Sequence, residues 1–239
     1  FITSRKCASI LVTRRQSVHP EGIMLPPELK FERERILQFA LIRVSSGGWT
    51  EQTLQSATAD AGFREVMARR AFPRGINDLI ATYLSTADDA MLEALGNRNL
   101  NTMPIRDRIR TAIRVRLEQN SSHREAIRRL IALQSTPQHA TAALFALHRT
   151  MDKIWRAADD KSTDFNFYTK RALLAGVYCT TTLFWLKDGS DGFSATWQFL
   201  DRRINDVMQL QTLRGRYDER LKSFEPAVVK FFQALTSRM

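Results

Sequence analysis

Apolar residues recur along this chain at spacings of three and four, the period of one face of a helix. From Phe31 the positions Ile36, Phe39, Ala40 and Val44 mark a first helix that Gly47-Gly48 closes. Thr50 is placed as the N-cap of a second helix through Leu54, Ala57 and Ala61, stopped at Gly62. Arg64 to Phe72 form a third, ended by Pro73 and Gly75. Short helices joined by a Gly-containing turn predict a helix-turn-helix unit. From Ile76 a longer helix sets Ile80, Tyr83, Leu84, Ala87, Met91 and Leu95 on one face and ends at Gly96, leading out of that unit.

Beyond it, Pro104 opens a helix with Ile105, Ile109, Ile113 and Leu117 inward and Arg106, Arg110 and Arg114 in an outward stripe. His123 to Gln134 form another. The stripe Leu144, Leu147, Met151, Ile154, Trp155 and Ala158 needs a partner helix to cover it. Asp164 to Leu186 is apolar nearly all round in its middle, so it is buried or makes an interface. Ser194 to Arg214 turns Trp197, Leu200, Ile204, Val207 and Met208 inward, and a charge-rich linker runs from Arg214 to Lys222. After Pro226 the residues Val228, Val229, Phe231, Phe232 and Leu235 form one apolar face, with Lys222, Lys230 and Arg238 available to anionic head groups.

With only 10 glycines and 7 prolines, and none of the prolines between Pro137 and Pro226, the chain reads as all-α. The organisation expected is a basic tail over 1–30, a helix-turn-helix domain with its linking helix over 31–96, a helical ligand-binding and dimerisation domain with linker over 97–221, and an amphipathic membrane-binding helix over 222–239. No apolar run approaches the roughly 20 residues that span a bilayer.

A net charge of +11 draws the chain toward something anionic: nucleic acid, an acidic membrane surface or an acidic protein. The first twenty residues carry four Arg or Lys and no acid among serines and apolar residues, as organelle transit peptides do. Cys7 and Cys179 make neither a disulfide framework nor a zinc site, and Cys179 reads as a small core residue.

Patterns of catalysis are missing. There is no Gly-rich phosphate loop, no GxSxG elbow and no Glu-x-x-His for a di-iron bundle, and no cofactor or metal is expected. Asp88-Asp89 and Asp159-Asp160 are adjacent on helices, where neighbours diverge by about 100° and share no site; they read as solvated surface acids. Arg64, Arg69, Arg70 and Arg74 lie in or beside the third helix, where DNA is read in helix-turn-helix proteins, but Glu65 opposes phosphate there and base-reading polar residues are few. On residues alone, DNA binding stays open.

Two long passages carry a resemblance: GGWTEQTLQSATADAGF with ARRAFPRGINDLI, within residues 47–80, and the stretch over 162–208 that contains DFNFYTKR and TWQFLDRRINDVM. With IRDRIRTAIRVRLE (105–118) and MDKIWRAADD (151–160), they resemble the Coq-nine family of ubiquinone (coenzyme Q) biosynthesis proteins across Phe31 to Arg214. The resemblance implies a TetR-regulator-like helical bundle, a homodimer, a cavity for lipid and isoprenoid quinone intermediates, and no specific nucleic acid partner. It implies a non-catalytic accessory role beside the di-iron demethoxy-ubiquinone hydroxylase, on the matrix side of the mitochondrial inner membrane or, in bacteria, peripheral to the membrane in the cytoplasm. The family's hydroxylase contact maps to Trp155, Asp164, Phe167 and Tyr168, with Phe167 standing where the family usually has Trp. Its membrane-binding helix maps to Val228, Phe231, Phe232 and Leu235. The apolar residues Leu174, Val177, Tyr178, Phe184 and Trp197 can line a lipid cavity as readily as fill a core. The competing function is a TetR-type ligand-responsive transcriptional regulator.

Overall fold

The computed structural model describes residues 27–158 and 166–221; among them are helices and connections and no strand. The helices are α1 (Lys30–Gly47), α2 (Glu51–Asp60), α3 (Val66–Ala71), α4 (Ile76–Gly96), α5 (Ile105–Glu118), α6 (Arg124–Gln134), α7 (Pro137–Ala157), α8 (Asn166–Trp185) and α9 (Ser194–Leu221). Thr50 caps α2, its hydroxyl oxygen accepting the Thr53 backbone N–H at 3.1 Å. Gly75 stands at φ +57°, where a side chain would collide with the Glu51 carboxylate. That carboxylate accepts the Ile76 N–H at 2.7 Å, so the first acid of α2 closes the open start of α4.

Two apolar cores result. Ile36, Ala40, Val44, Leu54, Ala57, Phe72 and Leu79 fill the first, inside the helix-turn-helix unit of α1 to α3 and the start of α4. Met91, Leu95, Ile113, Leu117, Met151, Ile154, Trp185 and Leu200 fill the second, among α4, α5, α7, α8 and α9. Helix α4 runs through both. So does α6, which lends Ala126 and Leu130 to the first core and packs Ile127 and Ile131 on the second. The Trp49 indole N–H donates to the Ala126 carbonyl at 2.9 Å, fixing α6 against the helix-turn-helix unit.

On its other side α6 terminates α8. Arg124 Nη2 donates to the carbonyls of Trp185 (2.5 Å) and Asp188 (2.8 Å), and Arg128 Nη2 to that of Leu186 (2.7 Å). These carbonyls lie at the end of α8 and in the turn that follows it, where cations also suit the helix's negative pole; that of Trp185 accepts the Asp188 backbone N–H as well, at 3.2 Å. The Arg124 guanidinium lies over the rings of Trp185 and Phe193, 5.3 and 5.0 Å from their centroids.

Several local expectations change; Met208, expected inward, and Leu144, expected under a partner helix, are both exposed. Ile105, expected inward, is about half exposed at the first residue of α5. Cys179 is exposed rather than a core residue. Asp88 is fully buried, whereas Asp89, one position on, lies at the surface and pairs with Lys153; the divergence of adjacent helix positions separates the two fates. Helix α9 continues to Leu221 through the expected linker, whose Arg, Asp, Glu and Leu content supports helix and which holds no proline before Lys222. Among the described residues no helix is long and apolar enough to cross a membrane. The tail, Asp164, and the membrane-helix residues Val228, Phe231, Phe232 and Leu235 lie outside the described residues.

Asp188 gives a pH test of the α8–α9 corner. Its carboxylate accepts from Thr196 N (2.9 Å), Thr196 Oγ1 (2.5 Å) and Ser190 N (2.8 Å). Burial works to raise its pKa, but the hydrogen bonds from Thr196 and Ser190 outweigh burial and hold it at about 2. A depressed carboxylate contributes stability that is complete above its unfolded pKa near ~3.9 and is lost as pH falls toward the folded value. Asp188→Asn should therefore cost about 1–2 kcal/mol at pH 7. In thermal unfolding from pH 6 to pH 2, the variant and wild type should converge at the acid end; a constant gap down to pH 2 would refute this origin of the stability.

Candidate functional site

The site is built around a charge that an amphipathic helix would not ordinarily bury. Asp88 stands on the inner face of α4, one turn beyond Leu84 and three residues before Met91, so the helix cannot turn it to water without exposing its apolar stripe. Arg116 stands likewise on the inner face of α5, between Ile113 and Leu117. The two meet at 3.1 Å through Arg116 Nε, with exposures of 4% and 0%. Thr150 of α7 donates its hydroxyl to the same carboxylate at 3.0 and 3.1 Å, and Arg149 Nε and Lys153 Nζ approach it at 3.8 and 3.9 Å. Three helices thus share one buried carboxylate.

Beside this cluster lies a cavity of about 380 Å³ between α4, α5, α6, α7 and α8. Leu84, Leu117, Ile127, Leu130, Ile131, Ala143 and Leu147 form apolar walls, and Tyr83, Arg116, Thr150, Tyr178 and Thr182 supply its few polar groups. Its size and lining fall within the range of small-molecule pockets. Alanines on α7, at 140, 143 and 146, leave the room that larger side chains would fill. The Tyr83 hydroxyl donates to Asn120 Oδ1 at 2.9 Å. Burial pushes the phenols of Tyr83 and Tyr178 upward, so both are donors near neutrality. Burial works against the charge on Arg116, but the phenols and Asp88 more than compensate, and its pKa is raised.

Of the five residues expected to line a lipid cavity, Tyr178 does so. Leu174 and Val177 are buried in the second core. Phe184 is partly exposed and stacks on Phe199 at 4.6 Å. Trp197 lies beneath the Arg114 guanidinium, 5.0 Å from it, and donates its indole N–H to the Gly192 carbonyl at 2.8 Å. The turn after α8 draws Trp197 to itself and away from the cavity. Other α8 residues take these places, namely Cys179, Thr182 and Leu183. The expected partner residue Trp155 is buried, with the Lys170 ammonium 5.6 Å from its ring centroid. Phe167 and Tyr168 belong to the first turn of α8. The arginine stripe of α5 is engaged within the fold: Arg110 pairs with Asp107 and Asp201 at 2.7 and 2.5 Å, and Arg114 with Glu118 at 2.7 Å. Among the described residues no group of three or more His, Cys, Asp or Glu gathers to hold a metal ion.

Sequence reasoning missed Asp88 and Arg116, yet a signal was present. Each is a charge in register with the apolar face of its own helix, and two such positions on neighbouring helices are the pattern of a buried pair.

A helix-turn-helix unit joined to a helical domain with an internal cavity defines the TetR-like class. In agreement, a crystal structure of a TetR transcriptional regulator from Nitrosomonas europaea superposes with a TM-score of 0.62 at 21% identity, over 74% of this chain and 98% of that one. The family model described as COQ9 matches residues 140–211. Fission yeast (Schizosaccharomyces pombe) ubiquinone biosynthesis protein coq9, mitochondrial, is 30% identical over 214 residues, covering 88% of this chain and 84% of that protein. The rat (Rattus norvegicus) and Drosophila melanogaster proteins named ubiquinone biosynthesis protein COQ9, mitochondrial, are 32% and 29% identical, over 83% and 88% of this chain. The chain spans 64% and 65% of those two relatives' lengths. It belongs to the COQ9 family.

The buried cluster predicts an asymmetric mutational response. Asp88→Ala strands the Arg116 guanidinium in an apolar interior and should cost about 3–5 kcal/mol, whereas replacing both partners by apolar residues (Asp88→Leu with Arg116→Met) should recover a large part of that loss. Urea denaturation of the two single variants and the double variant checks this; additive losses would show that the pair is not coupled.

Proposed function

We propose that this protein takes part in ubiquinone biosynthesis in the mitochondrion as a lipid-binding accessory protein. In this reading it binds isoprenoid quinone intermediates and presents them to the di-iron demethoxy-ubiquinone hydroxylase on the matrix side of the inner membrane, with no catalytic step of its own. The observation that carries the reading is the apolar cavity between α4 and α8, which offers a long-chain lipid a water-poor site. Relatives named for ubiquinone biosynthesis and for the mitochondrion support a quinone-type lipid and that compartment. Removing an isoprenoid chain from contact with water gains about 0.8 kcal/mol for each methylene, so a carrier with such a cavity lowers the cost of leaving the bilayer. The division of labour proposed assigns the helix-turn-helix domain to 31–96, the lipid-binding and dimerisation domain to 97–221, and the membrane-binding helix to 222–239, through Val228, Phe231, Phe232 and Leu235.

Contact with the hydroxylase is assigned to Asp164, Phe167 and Tyr168, with Trp155 acting from the core by packing. The homodimer is assigned to α8 and α9, where Leu183, Phe184 and Met208 leave large apolar side chains at the surface and a second copy would cover them. No specific nucleic acid partner is assigned.

Mass spectrometry of a lipid extract from the purified protein tests the central claim, with co-purifying isoprenoid lipid expected. An empty extract together with nanomolar binding to a palindromic duplex would instead establish a ligand-responsive DNA regulator. For the dimer, sedimentation at micromolar concentration should give two chains per particle, and Phe184→Asp with Met208→Asp should give one. A wild-type monomer would remove the α8–α9 assignment.

A further inference from the structure

The cavity is polarised in the sense opposite to a site that leaves a lipid head group in water. Its closed end is formed by buried residues, among them Tyr83, Arg116, Leu117 and Leu130. Its rim is formed by the exposed members of the lining, Leu144 of α7 at 38% and Leu183 of α8 at 51%, with Cys179 and the uncharged Ser135 beside them. The charge is therefore deep, and the mouth carries large apolar side chains and no charge. Arg116 lines the cavity while its Nε holds Asp88. A guanidinium carries five N–H donors in a fixed fork, and in a mostly apolar enclosure of low dielectric a hydrogen bond from such a donor to an acceptor is strengthened. Tyr178, protonated near neutrality, stands on the same wall.

We propose that the cavity takes its ligand head first: an acceptor oxygen at the end of an apolar chain hydrogen-bonds to Arg116 and the Tyr178 hydroxyl at the closed end, and the chain leaves between Leu144 and Leu183. This rests on the reading of the cavity as a lipid site and adds its polarity and the chemistry of the head. A ring carbonyl of a quinone and the carboxylate of a fatty acid share that chemistry. They differ in charge. The Arg116–Asp88 pair is already neutral overall, and Asp88 also has Arg149 and Lys153 within 4 Å, so either head meets a positive local field. Against an acceptor oxygen, a hydrogen bond from a buried cation is worth about tenfold to a hundredfold in affinity.

Cys179 gives the readout. With Cys7→Ser in the full chain, Cys179 is left as the single thiol, and a bound ligand should slow its alkylation by a maleimide. The probes are a fully substituted decyl-benzoquinone, which has no open ring position for the thiol to add to, decanoate, and decylbenzene as the chain and ring without oxygen. The quinone should protect Cys179 at a concentration at least tenfold below decylbenzene, and Tyr178→Phe should narrow that gap by about tenfold while decylbenzene protects as before. Asp88→Asn with Arg116→Gln, which keeps a neutral hydrogen-bonding pair, should abolish the gap; circular dichroism verifies the fold, and Tyr178→Phe alone decides the matter if the double variant unfolds. Stronger protection by decanoate than by the quinone would assign the site to an anionic head, and the reverse to a neutral carbonyl; both support head-first binding. Equal protection by all three probes would overturn the head-first inference and leave the lipid cavity standing. Protection by none of them would remove the cavity reading itself.

Discussion

The cavity side of this fold depends on a carboxylate buried away from bulk solvent. Asp88 ties α4 to α5 through Arg116 and to α7 through Thr150, and it does so at full burial, where an uncompensated charge would cost several kcal/mol. An apolar trio in the same place could give comparable stability. What the charged cluster adds is direction: hydrogen bonds of about 3 Å hold the three helices in one register, whereas methyl groups tolerate sliding. Because Arg116 and Thr150 also line the cavity, the contact that sets helix spacing sets the shape and polarity of the closed end as well.

Helix α6 transmits this arrangement to the rest of the chain. It receives the Trp49 indole from the helix-turn-helix side, lines the cavity with Ile127, Leu130 and Ile131, and caps α8 with Arg124 and Arg128. Leu130 belongs at once to the first core and to the cavity wall. A ligand that displaces α6 must therefore strain both the helix-turn-helix packing and the end of α8. A transcriptional regulator uses such coupling to move its DNA-reading helices. Here the recognition-helix position is taken by α3, Val66–Ala71, which α6 reaches through the packing of the first core.

Helix positions were legible because amphipathic periodicity is a local property. Thr50 as cap, Gly62 and Gly96 as stops, and the inward faces of α2, α4 and α7 follow from sequence neighbours alone. The cavity was not legible, because an apolar residue on an inner face looks the same whether it meets another side chain or empty space. Leu174 and Val177 went to the core while Cys179 and Leu183, on the adjoining faces of α8, went to the cavity. Position along the helix fixes the face; only the neighbouring helices decide what that face meets. Asp88 was misread for the complementary reason. Being next to Asp89 suggested a surface pair, and the partner that makes its burial tolerable lies 28 residues away on another helix.

The exposure of Leu183 connects the two assignments made to α8. It forms the rim of the cavity, and the next residue, Phe184, stacks on Phe199 of α9 in the apolar face assigned to a second copy. Successive helix positions point about 100° apart, so the rim and the proposed interface are neighbouring strips of one helix rather than opposite sides. In a dimer built on α8 and α9, the partner would border the mouth and shelter the emerging part of an apolar chain that the 380 Å³ cavity cannot enclose. Dimerisation and ligand retention would then strengthen each other by linkage: a chain held partly by the partner is released when the partner leaves, and a bound chain favours the dimer by the same free energy.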